Sequence, residues 1–167
     1  ARNTAIRHAT GEFVIFLDAD DMMPQWRVQD TVHEFALTSA DMIYGQKERF
    51  TRDYEWRDPA PAAIPPCPRT IVGATGCGTC AVATMRRMHV ADGIWMDESM
   101  PVAEDAELLV ACLSRGLTVH CSPKVYCWRK ESDTSLRHRG DWTLMRQWLQ
   151  VKHKAWLEQY TGKPSGV

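Results

Sequence analysis

Ala1-Arg-Asn-Thr-Ala-Ile-Arg-His-Ala-Thr-Gly-Glu-Phe-Val-Ile-Phe-Leu-Asp-Ala-Asp-Asp21 is the stretch on which the fold turns. Its second half, Glu12 to Leu17, is a near-continuous apolar, β-rich run that ends abruptly in acid. An uninterrupted run of this kind is the pattern of a strand buried on both faces, as in a parallel sheet covered by helices. Ahead of it, Arg2 to Thr10 reads as the end of a helix closed by Gly11. Behind it, Pro24 suits a first helical turn and opens a predicted helix to about Ser39, with Trp26, Val28, Val32, Phe35 and Ala36 on its apolar side.

Farther out the same alternation continues. Met42-Ile-Tyr44 predicts a strand, and Arg52 to Arg69 carries five prolines and predicts a long surface loop. Cys80 to Met85 predicts a further strand. Glu104 to Arg115 predicts a helix, with Leu108, Leu109 and Cys112 on one face and Gly116 placed to cap it. Leu117 to His120 and Lys124 to Trp128 predict two short strands about Pro123. Asp141 to Tyr160 predicts one amphipathic helix, its stripe drawn from Leu144, Met145, Trp148, Leu149, Ala155 and Trp156, followed by a loose tail. Strands alternating with helices at this spacing imply an α/β domain with a mostly parallel sheet, residues 1–140, and a C-terminal helix and tail, residues 141–167.

Composition narrows the function classes. The chain has 167 residues, 44% apolar and 25% charged, which suits a globular domain rather than a disordered one. Its 20 basic and 21 acidic side chains leave a net charge of −1, so no global field draws nucleic acid, and any anionic ligand is held locally. Of the six cysteines, Cys77-Gly-Thr-Cys80 forms a C-x-x-C with no second half to complete a zinc site. Cys112 and Cys121 fall in apolar periodic segments. Reduced structural thiols in a reducing cytoplasm are therefore expected. No apolar run approaches the roughly 20 residues of a membrane span. The first residue, Ala1, suggests a chain cut from something longer.

The chemistry concentrates in Asp18-Ala-Asp20-Asp21, at the carboxyl end of the predicted strand. Three carboxylates in four positions repel one another unless a cation neutralises them. Asp18 and Asp20 would face one side if the chain stayed extended, and a hard-oxygen site with open positions suits Mg²⁺ or Mn²⁺ together with a diphosphate. Two other readings compete. These acids would also serve the start of the Pro24 helix, where the dipole favours negative charge. A phosphohydrolase with a D-x-D nucleophile is the other, and it lacks a later Lys and paired-Asp strand end here.

The company of the motif separates these readings. Ala1 to Asp21 resembles the family 2 glycosyltransferase stretch A-R-N-x-G-I-x-x-A-x-G-E-Y-I-x-F-L-D-x-D-D nearly position for position. Gly93-Ile-Trp-Met-Asp97-Glu98 resembles that family's G-F-D-E turn, and Glu104-Asp105-Ala-Glu-Leu108 its E-D-x-x-L helix start. Leu113 to Val119 is similar to its L-x-x-x-G-x-x-V exit with one residue fewer before Gly116, and Trp128-Arg129 through Thr134-Ser135 to its Y-R-x-H-x-x-S tail. The resemblance spans residues 1 to 136 and implies a GT-A fold, N-terminally incomplete here, in an inverting, metal-dependent sugar transferase. The alternative is a non-catalytic remnant or binding module of the same fold.

Roles follow from the resemblance, residue by residue. Asp105 is implied as the general base. Asp20 and Asp18 are implied as metal ligands for Mg²⁺ or Mn²⁺, and Arg2, Asn3, Asp18 and Arg129 as donor contacts. Glu104 and Trp95 fall in segments that build acceptor pockets. Glu131 stands where the family often has His, and His138 lies nearby. The implied partners are a nucleotide-sugar, UDP-linked, and a glycan, lipid-linked or other hydroxyl acceptor. The Trp-bearing C-terminal helix suits peripheral membrane contact. If the family's preceding strands are missing, the edge of strand 12–17 would be exposed, invite a second copy and leave the chain alone inactive.

Overall fold

The computed structural model describes residues 1–50, 83–86, 93–100, 104–130 and 142–159. The Pro-rich stretch Arg52 to Arg69, Cys77 and Cys80, Glu131, Thr134, Ser135, His138 and the tail after Tyr160 lie outside the described residues. In chain order the elements are α1 (Arg2–His8), β1 (Phe13–Ile15), α2 (Arg27–Thr38), β2 (Met42–Phe50), β3 (Ala83–Arg86), α3 (Glu104–Ser114), β4 (Val119–Lys130), α4 (Trp142–Lys152) and α5 (Lys154–Gln159).

The described sheet runs β1-β3-β2-β4. β3 is antiparallel to both its neighbours, and β2 is parallel to β4, so β1, β2 and β4 share one direction. Val14, Met85 and Met42 lie in one cross-strand row, each buried, which sets the register because a slip of one residue would turn all three outward. The core adds Ile6 of α1, Phe35 of α2 and Leu108, Leu109 and Cys112 of α3.

β4 is one long strand, not two short ones. Tyr44 pairs with Cys121 and Gln46 with Val125, so β4 spends extra residues between the pairs. Pro123, which has no N–H to give, falls in that bulge, where it costs the ladder nothing. On β2 the bulge faces Gly45. A Cβ there would stand 2.4 Å from Tyr126 Cγ and 2.8 Å from the Lys124 carbonyl.

Helix ends follow local chemistry. α3 closes as its sequence predicts: Gly116 takes φ +76°, and the Leu117 amide donates to the Cys112 carbonyl at 3.1 Å. α1 ends earlier than Gly11, at an extended Ala9. α2 starts three residues after Pro24, whose carbonyl accepts the Arg27 amide at 3.0 Å. The C-terminal helix breaks at His153 into α4 and α5, and its expected stripe divides: Leu149 is buried, while Leu144 and Trp148 are exposed.

The face of α2 is a correction. The expected apolar side included Val28 and Val32, yet these are 49% and 46% exposed, and the buried residues are Arg27, Thr31, Glu34 and Phe35. The surface that α2 meets is itself polar. Glu34 accepts hydrogen bonds from the Ser122 hydroxyl at 2.8 Å and the Tyr126 hydroxyl at 2.9 Å, and Lys124 lies 3.6 Å away. Polar groups on β4 thus select the polar face of the helix, since burying them against valines would leave them unsatisfied.

Candidate active site

The acids that follow β1 fold into a turn: the Asp21 amide donates to the Asp18 carbonyl at 3.1 Å. The extended alternation expected for Asp18 and Asp20 therefore does not occur, and the acids take different surroundings. Asp18 is ion-paired with Arg2 at 2.7 Å. Asp20 is exposed. Asp21 turns toward β4, accepting from the Lys130 amide at 3.1 Å and the Cys127 thiol at 3.4 Å. Burial raises the Asp21 pKa; those two bonds and the charge of Arg129 oppose the rise.

Met22 then exchanges both backbone hydrogen bonds with Trp128, each 2.9 Å, and Trp26 meets Trp128 edge-on with ring centroids 5.6 Å apart. Trp128-Arg129 is thereby fixed beside the acidic turn although β1 and β4 stand at opposite ends of the sheet.

α1 supplies the other junction. Arg2 bridges two partners, Asp18 at the end of β1 and Glu104 at the start of α3. Asp105 follows directly, half-buried, with Oδ1 accepting from the Ala106 amide at 2.8 Å. Asn3 is buried and fully committed: Nδ2 donates to the Met96 carbonyl at 2.8 Å and to Glu98 at 2.9 Å, and Oδ1 accepts the Met96 amide at 3.0 Å. It thereby supports the Gly93–Ser99 turn. On the next turn of α1, the Arg7 guanidinium lies 5.1 Å from the centre of the Trp95 ring.

Between that turn, α3 and the α4–α5 junction lies a cavity of about 460 Å³, walled by Trp95, Asp97 and Glu107 among others. Glu107 is almost fully buried and is reached by Lys152 at 2.6 Å and His153 at 3.2 Å, while Lys152 also meets Asp97 at 2.5 Å. The Lys152 ammonium, helped by the Ser99 hydroxyl, holds the Asp97 carboxyl down to about 2.

The residues singled out in the sequence fall into two groups. Arg2, Asp18, Asp20 and Arg129 gather around the acidic turn, with Glu104 and Asp105 joined to it through Arg2. Trp95 and Asn3 belong to the adjoining Gly93–Ser99 turn. Arg27, Glu107, Lys152 and His153 were not foreseen, because a charged residue inside a helical pattern reads as solvated face. Among the described residues no set of three or more His, Cys, Asp and Glu is arranged to hold a metal by itself. The donor set nonetheless fits Mg²⁺ or Mn²⁺, which are commonly held by one or two carboxylates with substrate phosphates and water completing the shell.

Residues 1–90 match the family model described as Glycosyl transferase family 2. Among solved structures, Staphylococcus aureus TarS 1–349 in complex with UDP-GlcNAc aligns with a TM-score of 0.67 at 17% identity, covering 90% of this chain and 45% of that one. The mannosyltransferase PcManGT from Pyrobaculum calidifontis, in complex with GDP-Man and Mn²⁺, aligns with a TM-score of 0.59 at 22% identity, covering 98% and 44%. At such identities the likeness is one of fold, and the chain spans under half the length of these structures. No curated protein sequence matches the chain significantly.

Proposed function

This chain belongs to glycosyl transferase family 2, and on that premise we propose that it carries the catalytic part of an inverting transferase moving a sugar from a nucleotide-diphospho-sugar to a hydroxyl acceptor. The observation that carries the reading is the double ion pair of Arg2. It ties the acidic turn after β1, the donor side, to the first residue of α3, where Asp105 would serve the acceptor. An in-line displacement needs both sides within reach of one anomeric carbon.

In this mechanism the Asp105 carboxylate takes the proton of the acceptor hydroxyl as its oxygen attacks the anomeric carbon. Attack from the face opposite the leaving diphosphate inverts that carbon. Arg129, held beside the acidic turn by the Met22–Trp128 pair, pairs with the departing diphosphate. Arg2 keeps Asp18 and Glu104 in place, and Asn3 holds the turn that presents Trp95 to the acceptor. Asp20 and Asp18 would hold Mg²⁺ or Mn²⁺, which when bound neutralises charge developing on the diphosphate. The nucleotide-sugars bound by TarS and PcManGT, and the Mn²⁺ of the latter, support a donor and ion of this kind. A UDP-linked donor is the preferred candidate.

Asp105→Asn tests the assignment. Donor affinity should be unchanged while turnover falls by about 10², the scale of general-base catalysis. Retention of most turnover would leave Asp105 as a helix cap.

A further inference from the structure

Arg27 is fully buried at the first position of α2, and burial lowers its pKa to about 10. A charge in such a place is a poor device for stability alone, because apolar side chains of similar volume commonly do as well. What distinguishes a guanidinium is a rigid plane in which a single nitrogen holds two N–H donors at fixed angles. Here Nη1 donates to the Tyr126 carbonyl at 3.0 Å and lies 3.4 Å from the Phe16 carbonyl, with the guanidinium carbon 5.4 Å from the centre of the Tyr126 ring.

Tyr126 belongs to β4 and Phe16 follows directly on β1, two strands that do not pair with each other in the described sheet. β1 and β4 occupy opposite ends of the order β1-β3-β2-β4. Phe16 is two residues before Asp18, and Tyr126 is three before Arg129. The Arg27 contacts therefore lie one step upstream of the two groups that the proposed function sets on the donor's diphosphate. Tyr126 is itself tightly placed: its hydroxyl is held by Glu34, and its ring occupies the space over Gly45. The polar face of α2 thus grips β4 at one end and reaches the residue that follows β1 at the other.

We infer that Arg27 is a positioning residue for donor binding: by joining the Phe16 and Tyr126 carbonyls it adds, behind the Met22–Trp128 pair, a second tie that sets the separation between the Asp18–Asp20 turn and Arg129, and so the fit of a nucleoside diphosphate between them. The inference rests on the proposed function, which places the diphosphate there. It concerns position and not contact, since Arg27 has no exposed surface to offer a ligand.

Calorimetric titration of UDP-GlcNAc and GDP-mannose, each with Mn²⁺, into wild type, Arg27→Leu and Arg27→Lys tests it, with a thermal melt of each. The expected result is that Arg27→Leu melts close to wild type yet binds the nucleotide-sugar at least about tenfold more weakly, the scale of losing one well-placed hydrogen bond to a charged group. Arg27→Lys keeps the cation without the rigid planar head and should fall between them. Arg27→Leu with wild-type affinity overturns the inference, and so does a sharply lowered melting temperature with affinity retained, which would make Arg27 a stability residue. If Arg27→Leu does not fold, Arg27→Lys decides: weaker binding supports the inference and unchanged affinity overturns it. Wild type that binds neither nucleotide-sugar would remove the functional reading itself, and this inference with it.

Discussion

Replacing Lys152 by Met should loosen the C-terminal helices from the rest of the domain. The Lys152 ammonium sits 2.6 Å from Glu107 and 2.5 Å from Asp97, and the Glu107 side chain is only 2% exposed. Stranding a buried charge costs about 3–5 kcal/mol when nothing else answers it. Here His153 still faces Glu107 at 3.2 Å, and Lys152 is 35% exposed and partly screened, so a loss of about 2 kcal/mol is expected. For a chain of this size that corresponds to a fall of roughly 4–8 °C in melting temperature. A double-mutant cycle with Glu107→Gln should return a coupling of about 1–2 kcal/mol. The acid limb offers a second readout. Asp97 is held at about 2, below its ordinary 3.8, chiefly by the Lys152 hydrogen bond and then by Ser99. A depressed carboxyl contributes stability that is complete above about pH 4 and lost as pH falls toward 2. Because this pair is partly exposed the contribution is under about 1 kcal/mol, and it should shrink in Lys152→Met. Melts of the variant within about 0.5 kcal/mol of wild type, the range of ordinary surface changes, would refute the idea that these charges fasten α4 to α3.

Gly45→Ala should lower stability by about 1–3 kcal/mol, the usual cost of overpacking, because its Cβ would lie 2.4 Å from the Tyr126 ring; denaturant unfolding measures it, and a neutral result would mean that β4 shifts freely at its bulge. Asp20→Ala should abolish a Mn²⁺ binding isotherm that wild type displays, and equal binding by both would move the ion away from the acidic turn.

The elements that announced themselves did so through local chemistry. The apolar run from Glu12 ending in Asp18 predicts a strand with a site at its end, though only Phe13–Ile15 pairs. Glu104 to Gly116 carries both ends of α3 in its residue types. What stayed illegible depends on partners distant in sequence. In α2, Arg27, Thr31 and Glu34 share one helical face and Val28 and Val32 another, and either face could turn inward. The choice is made by Ser122 and Tyr126, some ninety residues away, whose hydroxyls require Glu34. Pro123 likewise reads as a break between two strands until the bulge opposite Gly45 gives it a place. The acidic turn shows the same limit: the cluster was visible, but its division among Arg2, solvent and β4 was not.

α1 explains how such separate pieces form one site. A helix of 7 residues is too short to be stable by itself in water, where isolated helices shorter than about 12–15 residues are marginal. Its order must come from contacts with the rest of the protein, and its polar contacts divide by residue. Arg2 takes the acidic turn and the start of α3, Asn3 takes the Gly93–Ser99 turn, and Arg7 takes Trp95, while Ile6 enters the core. The dependence is mutual. α1 is ordered by the segments it joins, and those segments, drawn from the stretch just after it and from residues 93–104 far along the chain, are aligned by α1. A perturbation of any one contact should therefore be felt at the others, because a single short rigid element transmits it. That coupling gives the A-R-N stretch a physical reason to precede the acids at a fixed spacing: the residues that hold the site together must fold back onto it from the helix just before its strand.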